Sequence, residues 1–137
     1  MESLKSDMPQ IVLIDACGWV AIAEAKINFD TELAREIGNP SLLLLDEVLH
    51  ELRNLETQKR GLLLSLLEER CEKPPEYLST ILEMFDDTDD CLIEAARILN
   101  ADVLTIDVDL KRRLFNEGLN YIEVVGEKRL RRRTLNS

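Results

Sequence analysis

No stretch of this chain stays apolar for the roughly 18 residues that would cross a bilayer. Its opening MESLKSDM also lacks the charged-then-apolar layout of a secretory leader, so a cytoplasmic protein with no membrane partner is expected. Cysteine is scarce: Cys17, Cys71 and Cys91 are odd in number, far apart and set among apolar neighbours. That argues against a disulfide framework and a zinc site and favours buried thiols. The three Phe, two Tyr and one Trp form no base-stacking platform. Glycine and proline are too few, at 5 and 4, for a low-complexity or disordered segment. No serine occupies a G-x-S-x-G turn, and no side chain presents itself as a covalent nucleophile.

What is abundant is acid. The 137 residues carry a net charge of −10, unevenly spread. Residues 111–137 hold eight Lys/Arg against three Glu, net +5, which leaves −15 on residues 1–110. An acidic body is unusual for a nucleic-acid binder, unless bound cations neutralise the acids. The length and the 45% hydrophobic content suit one domain with a real core.

Apolar periodicity sets out an alternating pattern. Ile11 to Ile14 reads as a buried strand closed by Asp15. Helical spacing follows through Trp19, Ile22 and Ala23, and a second helix, about 31–37, stops at Gly38, Asn39 and Pro40. Leu42 to Leu45 is the second strand, and Asp46 is placed to cap the helix whose stripe is Val48, Leu49, Leu52 and Leu55. Leu62 to Leu67 is a buried helix, and Tyr77 to Phe85 an amphipathic one. After the acidic turn at 86–90 come a helix through Leu92, Ile93, Ala96 and Leu99, a strand from Val103 to Ile106, a helix from Asp109 to Glu117, and a strand from Tyr121 to Val125. Strands alternating with helices imply a parallel α/β sheet.

That topology gathers the acids. With right-handed crossovers, strand ends and helix starts meet at the carboxyl edge, where ligands bind if the strand order reverses. Asp15, Glu51, Asp89 and Asp107 should therefore share one edge, with Asp15 and Asp107 flanking the crevice if the first and third strands are neighbours. Four like charges so placed call for a cation or for protonation. Taken singly, each acid has an ordinary explanation. Asp89, Asp90 and Asp109 suit helix caps, Asp86 and Asp87 are loop charge, Glu51 on a polar helix face would be a solvated acid, and Asp15 could be a turn residue. His50, the sole histidine, is read as solvated rather than as a ligand or base.

IVLIDACGW, the VLHELRNL helix, TDDCLIEAA and VLTIDVDLKRRL resemble, in order, the four acidic motifs of PIN-domain nucleases. The last two are similar to the PIN proteins of ribosome biogenesis and their archaeal relatives. The resemblance implies a three-layer α/β/α sandwich with a parallel, doubly wound sheet of four to five strands over residues 1–126, followed by a basic tail at 127–137. It implies metal-dependent hydrolysis of RNA phosphodiesters, with Mg²⁺ or Mn²⁺, one ion or two, at Asp15, Glu51, Asp89 and Asp107 and Asp109 as an extra contributor. Where the family has Thr and a small polar residue after its first Asp, this chain has Ala16 and Cys17. RNA contact is expected from Lys111, Arg112, Arg113, Lys128, Arg129, Arg131, Arg132 and Arg133, against the alternative that the basic end is solvated or pairs with the acidic body. Partners implied are a ribosomal precursor RNA or ribosome-associated proteins, and a homodimer. A non-cleaving PIN-like scaffold is the second reading and a toxin-type PIN ribonuclease the third. A haloacid-dehalogenase-type phosphatase is disfavoured because Cys17 stands where that class needs a second Asp.

Overall fold

Four apolar runs pair as parallel strands and a fifth strand closes the sheet antiparallel. The strands are β1 (Ile11–Ile14), β2 (Ser41–Leu43), β3 (Asp102–Leu104), β4 (Tyr121–Val125) and β5 (Arg129–Arg133), in the order β2-β1-β3-β4-β5. The computed structural model describes residues 10–25, 27–55, 60–126 and 128–134. Seven helices lie among them: α1 (Ala16–Ala25), α2 (Phe29–Glu36), α3 (Asp46–Arg53), α4 (Arg60–Arg70), α5 (Glu76–Leu82), α6 (Thr88–Leu99) and α7 (Val108–Asn116). None is long and apolar enough to cross a membrane among the described residues.

The order reverses between β1 and β3, which pair directly with Val12 opposite Asp102 and Ile14 opposite Leu104. This is the adjacency that the sequence argument required. Val12, Leu13, Val103 and Leu104 are all fully buried. Because successive side chains in a strand face opposite ways, burial at consecutive positions means that both faces of the sheet are covered by helices. The core continues through Trp19, Leu52, Leu78, Leu92, Leu110 and Leu114, each the apolar stripe of its helix. Trp19 meets Phe29 edge to face at 5.8 Å between ring centres.

Several boundaries differ from the expectation. β2 ends at Leu43 and β3 at Leu104, because the chain turns at each strand end to deliver the following segment to the edge. α2 starts at Phe29, where Asn28 accepts a hydrogen bond from the Thr31 amide. Asp46 does not cap α3. It is the first helical residue, and the cap position belongs to Leu45, whose side chain makes no capping bond. α6 is capped by Asp87 and α7 by Asp107, not by Asp90 and Asp109. In both helices the acids expected as caps fall inside the first turn, where they face solvent or a basic neighbour. α6 closes on Asn100 in the left-handed conformation, φ 53°.

The largest departure is at the basic end. Residues 129–133, expected as part of a tail, are β5, paired with β4 from Tyr121 opposite Arg133 to Val125 opposite Arg129. Two devices hold the strand. Leu130 is fully buried, and Arg132 places its guanidinium on the buried carboxylate of Asp102, at 2.6 Å from Nε to Oδ2 and 3.2 Å from Nη2 to Oδ1. Gln10 donates to the same carboxylate at 3.1 Å. The outer edge of β5 is closed by α2. Glu32 accepts from the Leu130 amide at 3.0 Å, Glu36 from the Arg132 amide at 2.6 Å, and Arg35 donates to the Leu130 carbonyl at 2.9 Å. Edge backbone groups that would otherwise template another strand are thereby satisfied.

Replacing Arg132 with Ala strands Asp102 without its counter-charge. A loss on the order of 2–3 kcal/mol is expected in urea denaturation, below the usual range for a broken buried pair because the arginine side chain is 29% exposed. The Asp102→Leu/Arg132→Met pair should recover most of it.

Candidate active site

Asp15 leaves β1 and enters α1, and both its carboxylate oxygens are committed. Oδ1 accepts from the Gly18 amide at 2.8 Å, the bond an N-cap makes to the third residue of its helix. Oδ2 accepts from the Thr105 hydroxyl at 2.5 Å and from the Cys17 thiol at 3.1 Å. The side chain is 6% exposed, so the carboxylate is fixed at the end of the strand rather than free in a turn. Gly18 is required by space: a methyl group there would lie 2.8 Å from Asp15 Oδ1 and 2.8 Å from the Leu104 carbonyl oxygen.

Thr105 is the residue that sequence reading passed over. It is fully buried, directly after β3, and its oxygen also accepts from the Asp107 amide at 3.0 Å. One hydroxyl therefore links the acid after β1 to the acid after β3. The signal was present in the T-I-D spacing, but only the β1–β3 pairing shows where the hydroxyl points. Asp107 repeats the device of Asp15. Its Oδ1 accepts from the Asp109 and Leu110 amides at 2.8 and 3.2 Å, so it caps α7 at the same edge.

A cleft of about 720 Å³ opens at this edge. Asp15, Glu51, Asp89 and Asp107 all line it, and so do Cys17, Glu24, His50 and Asn54. Glu24 carried no sequence signal, and Asn54 only its place on the polar side of the helix it shares with Glu51. The Asn54 amide lies 3.2 Å from His50 Nε2. Asp109 is not brought to the cleft: its side chain is 84% exposed and faces Arg112 at 3.5 Å. Among the described residues, no three His, Cys, Asp or Glu side chains already stand close enough to form a ligand set. The donors that line the cleft are nevertheless hard carboxylate oxygens, the chemistry that suits Mg²⁺ or Mn²⁺.

The electrostatics mark the same acids. Burial pushes the Asp15 carboxyl above its ordinary value, against the hydrogen bonds from Thr105, Cys17 and Gly18, and Asp107 adds repulsion. Asp89 is also raised, first by burial and then by Asp87, Asp107 and Asp15, with Arg113 opposing. Burial and the neighbouring Asp15 push the Cys17 thiol up to about 11, so it stands in the cleft as a neutral hydrogen-bond donor and not as a thiolate.

Most of the basic residues expected to meet RNA have acidic partners within the chain. Lys111 sits 3.1 Å from Glu123, and Arg133 2.5 Å from the other oxygen of the same carboxylate. Arg113 pairs with Asp90 and lies 3.9 Å from Asp87. Arg129 is 3.8 Å from Glu32, and Arg132 is taken up by Asp102. Lys128 and Arg131 are exposed and make no ion pair among the described residues.

A family model described as a PIN like domain matches residues 12–128. No curated protein matches. Among solved structures, "Structure of the PIN domain endonuclease Utp24" is similar at 24% identity and a TM-score of 0.75, over 93% of this chain and 93% of that one.

Two measurements probe the site. Thr105→Val keeps the shape but strips Asp15 and the Asp107 amide of a partner, and should lower the unfolding free energy by about 1–3 kcal/mol in denaturant titration. Thr105→Ser should lose well under half of that. The pH dependence has a definite sign. Asp15 and Asp89 have folded values raised above the unfolded one, so their contribution to stability is full below the unfolded value and is lost as pH rises through the folded values. In chelator, the stability of wild type relative to Asp15→Asn/Asp89→Asn should rise as pH falls through the folded values toward the unfolded one, against the opposite contribution of Glu32 and Glu123, which both proteins share. A profile of equal slope in both would show that these carboxyls are not the source.

Proposed function

The chain belongs to the PIN-like domain family, and on that footing we propose that it is a divalent-metal-dependent endoribonuclease that hydrolyses RNA phosphodiester bonds. The observation that carries this reading is convergence. Four acids at positions 15, 51, 89 and 107, contributed by the exit of β1, by α3, by the start of α6 and by the exit of β3, line one cleft at the point where the strand order reverses.

Asp15 and Asp107 would hold Mg²⁺ or Mn²⁺, with Asp89 on the same or a second ion and Glu51 reaching it through water. When bound, the ion supplies Lewis-acid stabilisation of charge on the phosphate and a more acidic bound water. The chain's own residues do the positioning. Thr105, Gly18 and Cys17 immobilise the Asp15 carboxylate before substrate arrives, which removes the reorganisation a mobile ligand would require. The Thr105 hydroxyl fixes the backbone of Asp107, so the two acids keep one relative placement. Asp89, raised by burial and then by three acidic neighbours, would ionise more readily with a cation held there, so cation binding and ionisation of the cleft would be mutually supportive.

RNA is the partner this site calls for, and the likeness of the TDDCLIEAA and TIDVDLKRR motifs to the PIN proteins of ribosome biogenesis supports a ribosomal precursor as substrate. Phosphate contact falls to the outward side of β5. Arg129, Arg131 and Arg133 alternate onto one face, starting at the carboxyl end of β4 and therefore at the edge that carries the acids. Arg131 is the member without an acidic partner among the described residues, whereas Arg132 faces the other way and is structural. A non-cleaving RNA-binding scaffold is the second reading, favoured by the Cys17 contact on Asp15.

Incubating a labelled structured RNA with wild type, Asp15→Asn and Asp107→Asn in Mn²⁺ or Mg²⁺ separates the readings. Cleavage by wild type and a fall of at least about 100-fold in each variant are expected. Equal cleavage by all three would sink the mechanism, and RNA binding without cleavage would favour the scaffold.

A further inference from the structure

The cleft continues well past its acids. Its α1 wall is the stripe Ala16, Cys17, Val20, Ala21 and Glu24, which runs from the first turn, beside Asp15, to the last. At 1.5 Å per residue, the eight steps from Ala16 to Glu24 carry the wall about 12 Å along the helix. The facing wall is the corresponding stripe of α3 and the residues after it, His50, Glu51, Asn54 and Leu55. Ile106 closes the acidic end and is 43% exposed, a large aliphatic side chain held at the surface next to Asp107. Val20, Ala21, Leu55 and Ile106 thus form an apolar trough, with the site acids toward one end and, at the last turn of α1, the exposed carboxylate of Glu24, the one acid among the described lining residues that the site does not use.

On the nuclease reading, the scissile phosphate lies at the acidic end, so the trough must hold what is covalently attached to it. We propose that the groove between α1 and α3 is a subsite for an unpaired nucleobase of the RNA, read at its Watson–Crick edge by Glu24, with guanine preferred. The occupant follows from continuity and chemistry. The length of the wall is that of one to two nucleotides leaving the phosphate. Aliphatic walls accept the faces of a base without aromatic stacking, which agrees with the shortage of aromatic residues in the chain. An ionised carboxylate only accepts hydrogen bonds. Guanine alone presents two adjacent donors at that edge, a ring N–H and an exocyclic amine. Cytosine and adenine offer one amine, and uracil offers a ring N–H between two carbonyl oxygens that the carboxylate repels.

The proposal rests on the nuclease reading for its orientation, and the experiment separates the two. Short oligouridines with phosphorothioate linkages resist cleavage, and a single guanosine, adenosine or cytidine is placed at each position in turn. Their binding to the full chain in Mg²⁺ is measured by fluorescence anisotropy. At one position, guanosine should bind about tenfold tighter than the other three bases, the discrimination expected of a bidentate pair. Glu24→Gln, an exposed substitution that the fold tolerates, should bring that ratio to about one. Equal affinity for all four bases, or a guanosine preference that Glu24→Gln leaves intact, would overturn the proposal. Cleavage of ordinary RNA by the same preparation with no base preference would leave the nuclease standing and remove the subsite. A guanosine preference without cleavage would do the reverse.

Discussion

One carboxylate sets the geometry on which everything else depends. Asp15 ends β1, begins α1 and reaches across to β3 through Thr105, so a single side chain joins two strands and a helix at the reversal of the sheet. The arrangement constrains its neighbours severely. Gly18 can carry no side chain because the space is filled by Asp15 and the Leu104 carbonyl. Thr105 must be both buried and hydroxylated, since it donates to one acid and accepts from the backbone of the other.

The same constraint has an electrostatic consequence. Burial raises both the Asp15 and the Asp89 carboxyls, and the neighbouring acids add repulsion, so the edge carries a cost that the rest of the core must offset. The offset is visible in the helices. Asp15 and Asp107 each direct an oxygen at the amides of a helix start, where the dipole favours negative charge. Each acid thus has a folding role, to which the proposed function adds a site role. The helix-capping explanation and the ligand explanation, which compete when the sequence is read residue by residue, are compatible in the structure.

The basic end obeys a different logic. Arg132 neutralises a buried aspartate, and Lys111 and Arg133 share Glu123. Residues that a charge count assigns to a solvated tail therefore help close the sheet, and the positive charge left for a polyanion is smaller than the count suggests. Exposed pairs of this kind are individually weak and screened by salt, so an incoming phosphate can compete for arginines such as Arg129 and Arg133 without unfolding anything. Arg132 is different, because its partner is out of contact with water.

The sequence by itself determined the alternation of strands and helices, the parallel sheet, and the four acids of the cleft, because apolar period and order along the chain fix which ends share an edge. It also determined the family, through motifs that survive as short strings. It left open which aspartate caps which helix, since Asp87, Asp89 and Asp90, or Asp107 and Asp109, are equivalent on paper and differ only in backbone angles. It could not distinguish β5 from a tail, because one leucine among arginines is no hydrophobic pattern until Asp102 and α2 are in place to receive it. Tertiary structure alone decided the roles of Thr105 and Gly18 and brought Glu24 to the cleft. A hydroxyl, a missing methyl and an exposed carboxylate acquire meaning only from what lies across space, and pairing β1 with β3 brings positions some 90 residues apart in sequence into hydrogen-bond contact.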